Sequence, residues 1–527
     1  MSFNLAELFE AVVDAIGDRT AIVVGDRRLS YRELDERANR LSSVLSGAGI
    51  GPGDHVGLQM MNSSEYLEGM LAAFKLRAVP INVNYRYVEG ELRYLFIDAQ
   101  VRALVYHRSF APRIAAIAPD RLEVFIEVDD GSDVPAVPGA LAYETATSAA
   151  SPTRPRIEGR SSDDLYCVYT GGTTGMPKGV IWRHEDIFKA AMGGGDITQM
   201  GNYVAGPDEL AARARGTEQQ IVALATPPLM HSSAHWLAFH QLFTGGTLVL
   251  MPLGRFEPGA IWETVTREKV FLIVIVGDAM LVPLLDELER NADRYDTSSL
   301  WVFGSGGAAL SRATKDRLLR LLPDRMIADS FGSSETGVLG AKAGGATFVV
   351  NADTAVLDEE GRPVLPGSGV IGRLARKGHV PLRYHNDPKK TAKTFLQIDG
   401  VRWSLPGDMA TVEADGSITL LGRGSLSINT GGEKVFPEEV EAPLREHPSV
   451  ADAVVVGVPD ERWGERVVAV VQPAAPVTLD ELQQHCRAHI AGYKIPRDLV
   501  LVEHILRSPA GKADYAWAKK RAVATLS

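Results

Sequence analysis

Along the first hundred residues the hydrophobic positions switch repeatedly between a helical and a strand period. Ser30-Tyr-Arg-Glu33 sets a hydroxyl three residues ahead of a carboxylate, the capping-box signature, and Leu34, Ala38, Leu41 and Leu45 follow at helical spacing. This helix is predicted to end at Gly47 or Gly49, ahead of the turn Gly51-Pro-Gly-Asp54. Val56 to Met60, Val79 to Val83 and Ala103 to Tyr106 read as strands, with Glu65 to Leu76 and Leu92 to Ala99 as the helices between and after them. Strands alternating with helices over short connections predict a mostly parallel sheet with helices on its faces. Asp129 to Asp164 is rich in Pro, Ser, Ala, Thr and acidic residues and reads as an exposed connection. Gly193 to Gln220 has weak periodicity and reads as an insertion over one face. Further strands are expected at Ile221 to Ala225, Phe271 to Val276 (buried on both faces), Leu300 to Phe303, Met409 to Val412 and Ile418 to Leu421. The last hundred residues predict a helix from Pro437, strands Ala453 to Gly457 and Val467 to Gln472, an amphipathic helix Leu479 to Ile490, and a strand Leu499 to Glu503.

A chain of 527 residues exceeds what one core supports, so two or more domains are expected. With 45% hydrophobic and 23% charged residues the composition is that of an ordinary globular protein. The net charge of −11, with no basic run, argues against a nucleic-acid surface. Two cysteines, Cys167 and Cys486, build no disulfide framework and fit a reducing compartment. The N-terminus lacks the basic and apolar regions of a signal peptide. The longest apolar run, Val270 to Val276, falls far short of the roughly 18 residues a spanning helix needs. A cytoplasmic enzyme without a transmembrane segment is the expectation, and a homodimer is compatible with it.

Several stretches carry more chemistry than turns require. The apolar lead-in Leu165, Tyr166, Cys167 and Val168 reads as a short buried strand running into a loop. That loop has three glycines, three threonines and one lysine in the nine residues Thr170 to Lys178. Glycines let consecutive N–H groups turn toward one point and hydroxyls add donors, so such a loop can wrap phosphate oxygens. The common nucleotide loop ends in Gly-Lys-Ser/Thr and opens a helix. Here Pro177 precedes the lysine, which keeps the segment extended or turned. Composition alone would favour a surface hairpin. Downstream, His231 and His235 lie four apart, a spacing that can ligate zinc from one helix face, but no glutamate follows the first and no third ligand is evident. Gly304-x-Gly306-x-x-Ala309 after a strand, with Asp324 some twenty residues on, mimics a dinucleotide fingerprint and makes an NAD-dependent oxidoreductase a rival reading. Against it, the motif stands alone in mid-chain with no clear βαβ unit. Glu335, after the glycine-containing turn of Asp329-Ser-Phe-Gly-Ser-Ser-Glu335, can hold Mg²⁺ or simply sit at a helix N-terminus. Asp408 by itself is a turn aspartate, Lys512 a solvated charge, and His485, Cys486 and His489 an ordinary helix face.

In sequence order these motifs resemble the adenylate-forming superfamily: acyl-CoA synthetases, peptide-synthetase adenylation domains and beetle luciferases. The resemblance rests on Thr170-Gly-Gly-Thr-Thr-Gly-Met-Pro-Lys-Gly179, Phe331-Gly-Ser-Ser-Glu335, Pro406-Gly-Asp408, Gly422-Arg423 with Asn429-Thr-Gly-Gly-Glu-Lys434, and Pro509-Ala-Gly-Lys512, and it spans nearly the whole chain. It implies a large N-terminal domain, 1–424, of stacked α/β subdomains plus a distorted β-barrel, and a small mobile α+β domain, 425–527, hinged near Ser425. It further implies that Thr170, Gly171, Gly172, Thr173, Thr174, Gly175 and Lys178 form the phosphate loop for ATP. Gly306, Gly307 and Ala308 would pack on adenine, Asp329 would lie at the adenine edge, and Ser330, Phe331, Gly332, Ser333 and Ser334 would complete the nucleotide wall. Glu335, with Thr170, would hold Mg²⁺. Asp408 would take the ribose hydroxyls, and Arg423 would reach ribose or the α-phosphate through its planar fork of donors. His231 would stand between substrate carboxylate and α-phosphate, with Ser232, Trp236, Val276, Gly277 and Gly304 around the acyl group. Gly431, Gly432 and Lys434 would line the CoA tunnel, and Lys512 would be catalytic.

Departures from the family pattern sharpen the reading. Ser232 stands where peptide-synthetase domains carry an aspartate for the α-amino group, so an amino-acid substrate is disfavoured; Ala234, Trp236, Leu237 and Phe239 suit an apolar acid. Asn429 replaces the lysine that luciferases use oxidatively. Phe331 offers no phenol hydroxyl, Ser334 replaces a threonine, and Ser425 with Leu426 replaces the usual hinge residues. The resemblance implies an ATP-dependent acyl-CoA ligase, and Gly422-Arg-Gly-Ser425 with Ile428-Asn-Thr-Gly-Gly-Glu-Lys-Val435 and Lys178-Gly-Val-Ile-Trp-Arg-His184 most resemble actinobacterial ligases for fatty and steroid side-chain acids. An acyl-AMP ligase loading a carrier protein and a degenerate binding protein are the rivals.

Overall fold

The structure is a computed structural model; it describes all residues except 1, 118–121, 173–174, 199–200, 252–255, 309, 344–346, 431–432, 461–463, 491, 508–510 and 527. The fold is mixed α/β, with five sheets among the described residues. Two of them form the α/β part. A five-stranded parallel sheet runs Val79–Asn82, His55–Gln59, Val101–His107, Val124–Val128, Leu141–Ala142. A nine-stranded sheet is parallel through its centre, where Thr247–Leu250, Val222–Ala225, Leu272–Ile275, Val302–Ser305 and Met326–Ser333 are neighbours. The early helices fall where the periodicity puts them: Ser30 and Glu33 complete the capping box of Tyr31–Gly47, and Leu34, Ala38, Leu41 and Leu45 are buried.

A six-stranded antiparallel sheet, which includes Gly372–Lys377, Asp408–Val412 and Ile418–Arg423, is the counterpart of the expected distorted barrel. The small C-terminal unit has its own five-stranded sheet, in which Val450–Asp460 and Gly464–Pro473 form a long hairpin. Alternate residues of that hairpin point into two separate apolar clusters. Val455, Val467 and Val471 face the helices Pro437–Glu446 and Leu479–Arg487, while Val454, Val468 and Val470 face Tyr515–Leu526.

Three expectations are corrected. The stretch 129–164 is not simply an exposed connection: it includes the helix Tyr143–Ala149, whose Tyr143 is fully buried and donates its hydroxyl to Glu68. Its Thr/Ala composition hides that one buried ring. The stretch 193–220 includes the helix Pro207–Gly216, packed on Leu5–Ile16 through Leu210 and Ala214. Finally, the strand Leu272–Ile275 is not buried on both faces, since its positions alternate between buried and half-buried and Phe271 ahead of it is exposed.

Candidate active site

In an open parallel sheet, ligand sites form beyond the carboxyl ends of the strands. At that edge of the nine-stranded sheet the structure gathers four segments: 226–231 after Val222–Ala225, Val276 and Gly277 after Leu272–Ile275, Gly306 to Ala308 after Val302–Ser305, and Ser330 to Glu335 at the end of Met326–Ser333. Gly306 and Ser330 abut so closely that a Cβ on Gly306 would lie 3.3 Å from the Ser330 carbonyl oxygen. Gly304 lies within its strand against Val274.

The Gly/Thr loop is the tip of a hairpin, Leu165–Gly172 against Gly175–Arg183, with Thr170 opposite Lys178. The surface-hairpin geometry and the phosphate-loop reading are thus compatible, with pairing holding the two arms. Thr173 and Thr174 lie outside the described residues. Lys178 Nζ sits 3.1 Å from Asp387 Oδ2, and Trp182 Nε1 donates to the Ser334 carbonyl at 3.0 Å, which ties the hairpin to the Ser330–Glu335 segment.

Glu335 occupies the turn between Met326–Ser333 and Gly337–Ala343, two antiparallel strands, so the helix-terminus alternative is excluded. Its carboxylate is buried and Oε1 accepts the Tyr384 hydroxyl at 2.8 Å; its carbonyl accepts Ser404 Oγ at 2.6 Å. Ser333 Oγ accepts the Glu335 N–H at 3.3 Å. Phe331 packs on Phe348 with the rings tilted by 56° and their centres 4.3 Å apart, so its ring is part of a wall. Asp329 is buried, and its Oδ2 accepts Lys315 Nζ at 2.7 Å.

Asp408 and Arg423 begin and end adjacent strands and are paired across them, with Nε 2.9 Å from Oδ1. Burial and the nearby Glu335 charge push the Asp408 carboxyl above its ordinary range, against the pull of Arg423 and Lys512. Burial works to lower the Arg423 pKa, but Asp408 and Glu335 more than offset it. Lys512 is exposed by area yet lies within electrostatic reach of Arg423, Glu335 and Asp408. Surrounding protein lowers its pKa, Arg423 adds to the effect, and Glu335 and Asp408 oppose it. The preceding Gly511 rests on the large unit: a Cβ there would lie 3.1 Å from Val276 Cγ1 and 3.2 Å from Ala308 Cβ. The C-terminal lysine is therefore carried into the mouth of the large unit's cleft.

His231 caps the helix Ser232–Thr244 with Ser232 as its first residue, and its Nε2 is buried without a hydrogen-bond partner among the described residues. Burial, then Lys512 and Arg86, bring its pKa down to about 4, so the ring is neutral at physiological pH. His235 does not join it in a metal site. Its Nδ1 is 2.9 Å from the Leu229 carbonyl and its Nε2 meets the Tyr166 hydroxyl, which also accepts Trp236 Nε1 at 3.0 Å. Trp236 and Leu237 are nearly buried and Ala234 and Phe239 fully so, all within the apolar core.

The dinucleotide fingerprint fails on topology. Val302–Ser305 and Met326–Ser333 are parallel, so Asp324 precedes its strand at the opposite edge from Gly306 and cannot share a ligand with it. For the CoA tunnel, Gly431 and Gly432 lie outside the described residues, and the Lys434 main chain pairs with Asn429. Sequence reasoning missed Tyr384, whose partner lies 49 residues away, Lys315, whose partner lies on the next strand, and Asn82, a single polar residue closing an apolar strand.

Two family models match the chain: AMP-binding enzyme over residues 9–383 and AMP-binding enzyme C-terminal domain over residues 439–512. The 3-oxocholest-4-en-26-oate–CoA ligase of Rhodococcus rhodochrous is 46% identical, over 98% of this chain and 96% of that protein. A medium/long-chain-fatty-acid–CoA/3-oxocholest-4-en-26-oate–CoA ligase of Mycobacterium marinum (strain ATCC BAA-535 / M) is 47% identical, over 99% of this chain and 97% of its own length. Among solved structures, ATP-bound MatB from Rhodopseudomonas palustris superposes with a TM-score of 0.83 at 25% identity, covering 99% of both chains. With both models matched in order and relatives this similar along their whole length, the chain belongs to the AMP-binding enzyme family.

Proposed function

We propose that this adenylate-forming acyl-CoA ligase activates a medium- or long-chain fatty acid, or the side-chain acid of a steroid, as acyl-AMP and passes the acyl group to coenzyme A. The relatives' substrates and the absence of a carboxylate at Ser232 support that substrate class. The observation that carries the reaction is the convergence of Lys512, Arg423, Asp408, Glu335 and His231 at one cleft.

In the first half-reaction the acid's carboxylate attacks the α-phosphorus and pyrophosphate leaves. Both reactants are anions, so fixed positive charge and N–H donors aimed at the reacting oxygens are what the protein must supply. Lys512 and Arg423 supply the charge, and the Thr170–Lys178 loop takes the phosphates. Asp408 takes the ribose, and Gly306 to Ala308 with the Ser330–Ser334 segment form the adenine wall. A neutral His231 fits a place beside the substrate carboxylate, where it adds no competing charge. Glu335, with Thr170, fits Mg²⁺: a buried carboxylate plus substrate phosphates is the oxygen-rich donor set this ion prefers. Bound there, the ion would neutralise phosphate charge.

In the second half-reaction the thiol of CoA displaces AMP. We infer that the unit from Ser425 swings on its hinge to withdraw Lys512, consistent with Gly511 being the contact that seats it. No helix among the described residues is long and apolar enough to cross a membrane. The test separates the half-reactions. K512A is expected to lose acid-dependent ATP–pyrophosphate exchange by about a hundredfold or more, as expected for a transition-state charge contact. It should still form thioester from supplied acyl-AMP and CoA. Equal loss of both half-reactions overturns the two-position reading. Failure of the wild type to release pyrophosphate with any acid of a broad panel overturns the function, and thioester formed only on a carrier protein favours the acyl-AMP ligase.

A further inference from the structure

Two sheets end beside the cleft on unpaired edges. Val79–Asn82 is the outer strand of the five-stranded sheet, and Leu165–Gly172 is the outer strand of the three-stranded sheet that carries the phosphate loop. An edge strand leaves main-chain groups without partners. Here the side chain of Asn82 supplies them. Its Oδ1 accepts the Tyr169 N–H at 2.7 Å and its Nδ2 donates to the Tyr169 carbonyl at 2.8 Å, as a neighbouring strand would. The second Nδ2 hydrogen goes to the Met230 carbonyl at 2.8 Å. This fixes the amide's orientation, since two carbonyls demand the nitrogen and one N–H the oxygen. Tyr169 immediately precedes Thr170, and Met230 immediately precedes His231. One amide therefore holds the main chain next to the phosphate loop and next to the histidine at a fixed separation. Asn62 secures the far side of the same His231 segment, accepting the Leu229 N–H at 2.7 Å and donating to the Pro227 carbonyl at 3.1 Å.

We propose that Asn82 is a positioning residue of the adenylation step: it sets the distance between the segment that holds the phosphates and the segment that holds the acid's carboxylate. The inference rests on the roles proposed above for His231 and the Thr170–Lys178 loop. Rate falls steeply when reacting groups move apart, about a hundredfold for 1 Å. Thioester formation from ready-made acyl-AMP needs no such alignment of two anions and should be insensitive.

The test uses the full-length protein with Asn82→Ala and Asn82→Asp. The aspartate keeps an acceptor for the Tyr169 N–H and loses both donors, setting a carboxylate against two carbonyls. Expected in both variants is a loss of ATP–pyrophosphate exchange of about thirtyfold or more in kcat, with thioester formation from acyl-AMP within threefold of wild type. In N82D the lost exchange should partly return as pH falls and the carboxyl regains a proton to donate. Exchange within threefold of wild type in folded N82A overturns the proposal. So does equal loss of both half-reactions, or failure of both variants to fold, because Asn82 would then serve only the fold. No exchange in the wild type itself would instead sink the proposed function, and this role with it.

Discussion

Arg376 is a charge placed where almost no water reaches, and its reason lies in Glu335. The fully buried guanidinium donates through Nη1 to the carbonyls of Thr336 at 2.9 Å, Val338 at 2.8 Å and Ala190 at 3.3 Å. The first two flank Gly337, so the turn that presents Glu335 is fastened from below. Asp353 approaches no closer than 3.8 Å, and burial lowers the Arg376 pKa despite the partial compensation from Tyr203 and Asp353. Such an arrangement is costly, and removing one partner exposes the others. Arg376→Met should destabilise the protein by about 3 kcal/mol, because carbonyls are left buried and unsatisfied. In urea denaturation this appears as an earlier transition. A variant as stable as the wild type would show that those carbonyls find other donors. At this scale the sequence was partly legible. Lys512, Glu335, Asp408 and Arg423 stood in recognisable motifs, whereas Tyr384 and Asn82 bond to partners 49 and 87 residues away, and no local pattern marks such a bond.

Elements were legible wherever a local signal agreed with burial. Ser30 and Glu33 announce their helix, and runs of valine announce the hairpin Val450–Asp460 and Gly464–Pro473. The helix Tyr143–Ala149 was not legible, because one buried tyrosine among alanines and threonines has no periodicity to detect. The Gly/Thr loop was legible as chemistry and, from composition, as a hairpin; its register, with Thr170 opposite Lys178, was not, since the pairing runs into glycines that sequence reading assigns to loops. The C-terminal loop before Lys512 shows how an element is seated by one residue. Gly511 has φ +71°, a region costly for side-chain-bearing residues, and it touches Val276 and Ala308. Gly511→Ala should therefore loosen the docked position. Pyrophosphate exchange is expected to fall about tenfold, the effect of roughly 1.4 kcal/mol of strain and displaced contact, with thioesterification of supplied acyl-AMP unchanged. Unaltered exchange would mean that the loop places Lys512 without this contact.

For the whole molecule, the question is what makes the docked arrangement of the two units reversible. Glu438 lies in the first turn of Pro437–Glu446, and its carboxyl packs directly on Gly422: a Cβ there would sit 1.9 Å from Oε2. Gly422, at φ +103°, belongs to the strand that carries Arg423, so this contact spans the proposed hinge. Oε2 is buried without a hydrogen-bond partner among the described residues. Burial raises the Glu438 pKa to about 7, with Glu441 and Asp408 adding to the effect and its own N–H and Arg445 opposing it. The docked arrangement thus prefers the protonated carboxyl, while an arrangement that hydrates it returns it toward its ordinary 4.5. A group whose pKa is raised by docking binds more protons docked than undocked. Docking is accordingly strongest at low pH and weakens as pH rises from about 4.5 to about 7, by up to tenfold per pH unit, then levels off. A donor–acceptor fluorophore pair spanning the two units should report this slope in the wild type, and Glu438→Gln should flatten it while keeping the units docked at pH 7 and above. If the substituted protein retains the wild-type slope, another titrating group governs the swing, and Asp408, itself pushed upward by burial and Glu335, is the next to substitute.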